Sequence, residues 1–288
     1  ASVIEKMNVD LNSATGGALT VRGYHGGELG AGPVEQYVRV VQGVADIAWG
    51  LPGYTSSQFE KTMIVELPGT LSNEDAGYAA MWKAYSDHLA SEFPGTVPVA
   101  LWTSEPNVFI MKDHVIRKPS DLAGLKVRVA GATAADVATA LGATPVQMPI
   151  NQVYNALQTG LIDGVITGSS TLNDFKLDEV ANSYTFGANL GRLSFYAVMN
   201  KKKYDSLSVE HRAALDNVRG MPLSKSAEDA WNETAIEGVA AARLLDDNTF
   251  VDLTEAEAAA FAAAIAPVTG AYVDAVGGQA AQAAMQAK

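Results

Sequence analysis

A helix that stops at glycine and gives way, through an aspartate, to an apolar strand occurs in both halves of this chain. Gln42-Gly43-Val44-Ala45-Asp46-Ile47 closes one helical run, and Gln158-Thr159-Gly160-Leu161-Ile162-Asp163 closes another. Glycine lets the last helical turn end in a left-handed conformation, and the aspartate at the turn accepts backbone amides. In the first half, Leu19 to Arg22 alternates like a strand and a glycine-rich loop follows from Gly23 to Gly32. Pro33 then opens a helix whose apolar face is Val34, Tyr37, Val38 and Val41, and Asp46 to Trp49 forms the next strand. In the second half, Lys126 to Val129 is a strand, Ala134 to Leu141 a helix and Pro145 to Met148 a strand. A helix burying Val153, Ala156 and Leu157 then leads to a strand over Leu161 to Val165. Two lobes of like construction follow, each with parallel strands that place a ligand at their carboxyl ends.

Phe195 to Met199 reads as a later strand, and Ser208 caps a helix from Val209. Leu223 to about Leu245 keeps a helical pattern interrupted only by Gly238, and Thr254-Glu255-Ala256-Glu257 is a capping box opening a helix to about Ile265. Such helices can brace both lobes. The expected division is 1–104 plus 195–228 for lobe I and 105–194 plus 229–288, with the C-terminal helices, for lobe II.

The 288 residues suffice for two cores, and no apolar run approaches the ~20 residues a bilayer crossing needs. Cysteine is absent, which removes thiolate chemistry and tilts the reading toward an exported, periplasmic protein; no signal peptide is visible from Ala1, as in a mature or trimmed chain. Net charge is −12, a surface that repels nucleic acid and anionic lipid and makes any anion site a local cationic exception.

Catalytic constellations do not assemble. His25, His88, His114 and His211 lack metal-ligand spacing, and Gly168-Ser169-Ser170-Thr171 lacks the second glycine of a nucleophile elbow. The loop from Gly26 to Gly32 has the wrong spacing for a dinucleotide, and Asp46 and Asp163 sit where they bond backbone amides. No cofactor or metal is expected.

The stretch Ser120 to Gly164 carries the most information: Ser-Asp-Leu-Ala-Gly-Leu-Lys-Val-Arg-Val-Ala-Gly, then Leu141-Gly-Ala-Thr-Pro-Val-Gln-Met-Pro, then Val153-Tyr-Asn-Ala-Leu-Gln-Thr-Gly-Leu-Ile-Asp-Gly164. With Gly27-Glu-Leu-Gly30, Gln42 to Ala48, Glu66-Leu-Pro68 and Met199-Asn-Lys201, it resembles the extracytoplasmic solute receptors of tripartite ATP-independent periplasmic (TRAP) transporters, dicarboxylate-receptor type, from about Gly16 to about Leu215.

That resemblance implies an α/β, two-lobed periplasmic binding protein of the type II, Venus-flytrap kind with a long bracing helix. It also implies a small-molecule carboxylate ligand, integral membrane TRAP permease subunits as partners, and no catalysis. Arg128 falls on the family's ligand-binding arginine, and a guanidinium at a strand end matches a carboxylate bidentately. Thr167 stands where the family often has asparagine, and Glu105 to Phe109 where it often has a second arginine. Thr167 and Asn107 are therefore expected to offer hydrogen bonds. Trp49, Leu51 and Tyr54 form an apolar wall, and His25 and Trp102 complete the expected site. One charge between aromatic walls suits a monocarboxylate with an apolar or aromatic body. The family also implies a strand before the first helix, whereas this sequence opens within the helix expected over Ser2 to Ser13. The rival readings are a receptor for an ATP-driven importer or a sensor kinase, and a carboxylate-acting lyase with Asp46 or Asp163 as base.

Overall fold

The computed structural model describes residues 2–30 and 32–287; Ala31, in the glycine-rich loop, and Ala1, from which the export reading starts, lie outside the described residues. Helix α1 (Ser2–Ala14) is followed in the element order by helix α2 (Gln36–Val41) and strand β1 (Ile47–Gly50). Short 3-10 turns over Pro52–Gln58 and Thr62–Glu66 precede helix α3 (Gly77–Ala84) and strand β2 (Thr96–Thr103). Strands β3 (Asn107–Met111) and β4 (Lys126–Val129), helix α4 (Ala132–Ala140), strand β5 (Thr144–Gln147), helix α5 (Val153–Gln158), strand β6 (Gly164–Gly168), helix α6 (Thr171–Asp174) and strand β7 (Ser183–Phe186) come next. Strand β8 (Ser194–Asn200) opens the helical third: α7 (Lys201–Ser206), α8 (Val209–Val218), α9 (Met221–Ala242), strand β9 (Thr249–Asp252), α10 (Glu255–Ala275) and α11 (Gln279–Gln286).

The strands form two sheets, β1-β8-β2 and β5-β4-β6-β3-β7-β9. In the larger sheet β4 runs parallel to β5 and β6, and β7 to β9, as expected of helix-connected strands. The smaller sheet departs from expectation, because β1 and β2 both pair antiparallel with β8. The partner of β1 is a strand returning from the other lobe, not the next strand of a β-α-β unit.

The chain crosses between lobes from β2 to β3 and from β7 to β8. The crossings are laced together: Ser104 N donates to Leu193 O at 2.8 Å and Asn107 N to Gly191 O at 2.8 Å. Gly191 sits at φ +79°, and a Cβ there would collide with the Glu66 carbonyl. Helix α9 is the brace. Its Ser224 hydroxyl accepts from Leu101 N and Trp82 Nε1, and its Glu228 carboxylate accepts from Thr103 N and from Gly77 N and Tyr78 N at the start of α3. Farther along, Gly238 passes against the backbone of Ser169 and Asn173 beside α6, so one helix touches both lobes. The last helix, α11, returns to pack on α3.

Several local expectations change. Leu19 to Arg22 forms no strand and pairs with none of the described strands; instead Val21 N donates to Asn8 Oδ1 of α1 at 2.7 Å. Helix α2 begins at Gln36 and buries Tyr37 and Val40, leaving Val34, Val38 and Val41 exposed. Tyr37 wins because its ring packs edge-on against Phe59 and Tyr196 while its hydroxyl reaches Pro94 O. Strand β6 starts at Gly164, after Leu161 has turned out to solvent. The capping box opens α10 as expected, but α10 continues past Pro267 to Ala275 and, contrary to the expectation for any segment, is long and apolar enough by composition to cross a bilayer. Its composition is largely alanine, and its larger side chains Phe261, Ile265, Val268 and Val273 are buried in the core.

Candidate functional site

Strand β4 alternates. Val127 and Val129 face the core shared with α4, so Arg128 faces the opposite side of the sheet. There Arg128 is 1% exposed, and no carboxylate of the described residues pairs with it. Its Nε donates to Met148 O at 2.9 Å, while Nη2 has no partner among the described residues. Burial lowers its pKa from the usual arginine value, and the neighbouring Tyr54 hydroxyl opposes that shift. A buried cation without a counter-charge is costly, and a carboxylate with two oxygens aimed at its free edge relieves that cost.

The side chain reaches a small cavity between the lobes, about 30 Å³ in volume. From the small-sheet side come Trp49, Leu51, Tyr54, Leu193 and Phe195; from the large-sheet side Arg128, Ile150, Thr167, Gly168, Ser170, Thr171 and Phe175. Ser104 lies at the crossing, and Trp231 comes from the brace α9. Trp49, Phe195 and Trp231 touch one another, with ring centroids 4.4 to 6.0 Å apart. Most hydroxyls at the site are committed: Ser104 Oγ donates to Glu105 O, and Thr171 Oγ1 to Gly168 O. Thr167 Oγ1 is buried and unpartnered, on the same face of the sheet as Arg128.

Five residues expected from sequence, Trp49, Leu51, Tyr54, Arg128 and Thr167, meet at this cavity. Trp102 lies one layer behind, stacked on Phe195 at 5.3 Å, with its Nε1 buried and unpartnered. Asn107 pairs with Gly168 across the ladder, so its side chain takes the face opposite to Thr167. His25 is exposed beside Gly23 and the Ile4 side chain of α1 and does not line the cavity. Of the two turn aspartates, Asp163 accepts from Lys126 N at 2.7 Å, as read from sequence, whereas Asp46 carries an exposed ion pair with Lys203.

Sequence reasoning missed Phe175, Phe195 and Trp231 as wall residues. It also missed Glu105, which supports the wall from behind. Oε1 of Glu105 accepts from Ser170 N at 2.6 Å, Oε2 is unpartnered, and burial pushes its carboxyl up to about 7.

Two α/β lobes joined by crossing strands, with an uncompensated cation in the cleft between them, define a ligand-binding receptor of the two-lobed periplasmic type. The pattern of the bacterial extracellular solute-binding proteins, family 7, matches residues 2–274, and the chain belongs to that family. It is similar to the C4-dicarboxylate-binding periplasmic protein DctP of Rhodobacter capsulatus, with 25% identity over 92% of this chain and 80% of that protein. A TRAP solute-binding protein of Rhodoferax ferrireducens, solved with copurified benzoate, superposes with a TM-score of 0.92 at 28% identity, covering 98% of this chain and 90% of that one. A marine-metagenome TRAP solute-binding protein specific for aromatic acid ligands, solved with 3-hydroxybenzoate, gives 0.90 at 28% identity over 99% and 92% of the two chains. These relatives are solute-binding receptors, not enzymes, and the chain is a receptor of the TRAP type.

Proposed function

We propose that this receptor binds an aromatic monocarboxylate and, in the periplasm, delivers it to a membrane-embedded TRAP permease. The observation that carries the reading is Arg128: buried, without an ion pair or an Nη2 partner among the described residues, at a cavity whose walls include Trp49, Phe175, Phe195 and Trp231. The guanidinium fixes the carboxylate, and the rings gain from stacking and burial of an aryl body. Arg128 is the single cation among the described lining residues, which favours one carboxylate over the two of a C4-dicarboxylate. The unpartnered Thr167 hydroxyl lies on the arginine's face, where it can add a hydrogen bond to the ligand. The similar receptors solved with benzoate and 3-hydroxybenzoate support the same class of ligand.

Binding across the cleft favours the closed arrangement of the lobes, because only that arrangement brings both walls to the ligand. Thermal melts followed by calorimetric titration, run against aromatic monocarboxylates, aliphatic keto acids, uronic acids and C4-dicarboxylates, test the reading. Stabilisation by the aromatic acids above the others is expected. Stabilisation by C4-dicarboxylates or uronic acids alone would overturn it.

A further inference from the structure

We infer that Tyr54 is a positioning residue for Arg128, acting across the cleft, and that the Gly53–Gly131 backbone contact is the spacer that sets its reach. The inference rests on the reading of Arg128 as the carboxylate anchor and adds what holds that anchor in place.

The guanidinium is oriented through one loop. Arg128 Nε donates to Met148 O at 2.9 Å, and two residues on, Ile150 N donates to the Tyr54 hydroxyl at 3.0 Å. Tyr54 belongs to the turn after β1, in the small-sheet lobe, whereas Arg128, Met148 and Ile150 belong to the large-sheet lobe. One hydroxyl from the opposite lobe therefore fixes the loop whose carbonyl fixes the arginine. The same hydroxyl stands beside the guanidinium and can steer its free edge toward the cavity.

The contact next to Tyr54 explains how it reaches that far. A Cβ on Gly131 would lie 2.6 Å from Gly53 Cα and 2.9 Å from Gly53 O, both backbone atoms that cannot rotate aside. A Cβ on Gly53 would lie 3.3 Å from Gly131 Cα, a milder contact. Backbone conformation does not ask for glycine at Gly131, which is extended at φ −159° and ψ −173°. Glycine is required there by the approach of the other lobe. The Ser56 hydroxyl, accepting from Ala132 N at 3.3 Å, extends the same seam.

The test uses three variants of the full chain. Tyr54→Phe removes only the hydroxyl. Gly131→Ser adds the Cβ while supplying a good N-cap for α4, which separates the clash from any loss of helix stability. Gly53→Ala adds the milder contact. Each is titrated with benzoate and with the neutral isostere benzamide, and amide hydrogen exchange is followed by NMR with and without benzoate. Tyr54→Phe and Gly131→Ser are expected to weaken benzoate about tenfold or more, and Gly53→Ala less. Benzamide should change little, since it does not call on an oriented cation. The Ile150 amide should be protected in the wild type and lose that protection in Tyr54→Phe and Gly131→Ser.

Equal weakening of benzoate and benzamide would show a merely structural role and overturn the inference. So would an Ile150 amide that is unprotected in the wild type, or equally protected in all variants. If the wild type fails to bind benzoate, the aromatic-acid reading falls by itself, and the exchange rates still decide the Tyr54 contact.

Discussion

On one side of the cleft stand Arg128 and Thr167, on neighbouring strands within the larger sheet; on the other stand Trp49, Phe195 and Trp231, from β1, β8 and α9. The first side is polar and unsatisfied: both polar residues are buried and each leaves an atom without a partner among the described residues. The second is apolar and self-satisfied, its rings in mutual contact, with Trp49 still 43% exposed. The difference separates two tasks. The sheet wall carries specificity for charge at a cost to the protein's own stability, whereas the aromatic wall supplies area and costs the fold nothing.

The sharpest way to break that comparison is to make the polar wall apolar. Arg128→Met should cost about 2–5 kcal/mol of aromatic-acid affinity in calorimetric titration. In the absence of ligand the same variant should melt at or above the wild-type temperature, because a buried, uncompensated charge is gone. A variant that loses stability together with affinity would mean that the arginine is structural.

Behind the polar wall, Glu105 predicts a pH dependence. Its carboxyl is raised by burial from 4.5 to about 7, so the protonated form is favoured by folding. The sign follows: its stabilisation is complete below the unfolded value and is lost as pH climbs through about 7, to roughly 3 kcal/mol at most. Urea melts between about pH 5 and about pH 8 should show falling stability, and Glu105→Gln should flatten the slope. Glu66 and Glu228, also raised by burial, keep part of it.

On the aromatic wall, Trp49→Ala should weaken aromatic acids by about 1–2 kcal/mol in the same titrations, with little change in melting temperature, since the ring is partly exposed. The smallest effect is expected of Thr167→Val, about 1 kcal/mol of affinity at most, with unliganded stability held or improved because its hydroxyl has no internal partner.

The polar wall was legible and much of the aromatic wall was not, for a physical reason. Lys126-Val127-Arg128-Val129 places a cation among β-branched residues, and strand alternation alone sends the valines one way and the arginine the other. Asn107 was reached through the resemblance and not through a strand reading, and the face it takes depends on the register of β3 with β6. Trp231 sits in a helical run with no mark of which side meets the cleft, because that is decided by how Ser224 and Glu228 bolt α9 to β2 and α3. Helix α2 shows the limit again. Apolar residues lie on both its sides, so of the expected face Val34, Tyr37, Val38 and Val41 only Tyr37 is buried, and packing adds Val40. For Leu19 to Arg22 the alternation was real, but a strand also needs a partner, and none of the described strands pairs with it.

The most direct test of the central claim is a crystal structure of the protein grown with benzoate. The account predicts the carboxylate within hydrogen-bond distance of Arg128 Nη2, with the ring held among Trp49, Phe175 and Trp231. Benzoate seated elsewhere, with Arg128 Nη2 still without a partner, would contradict it.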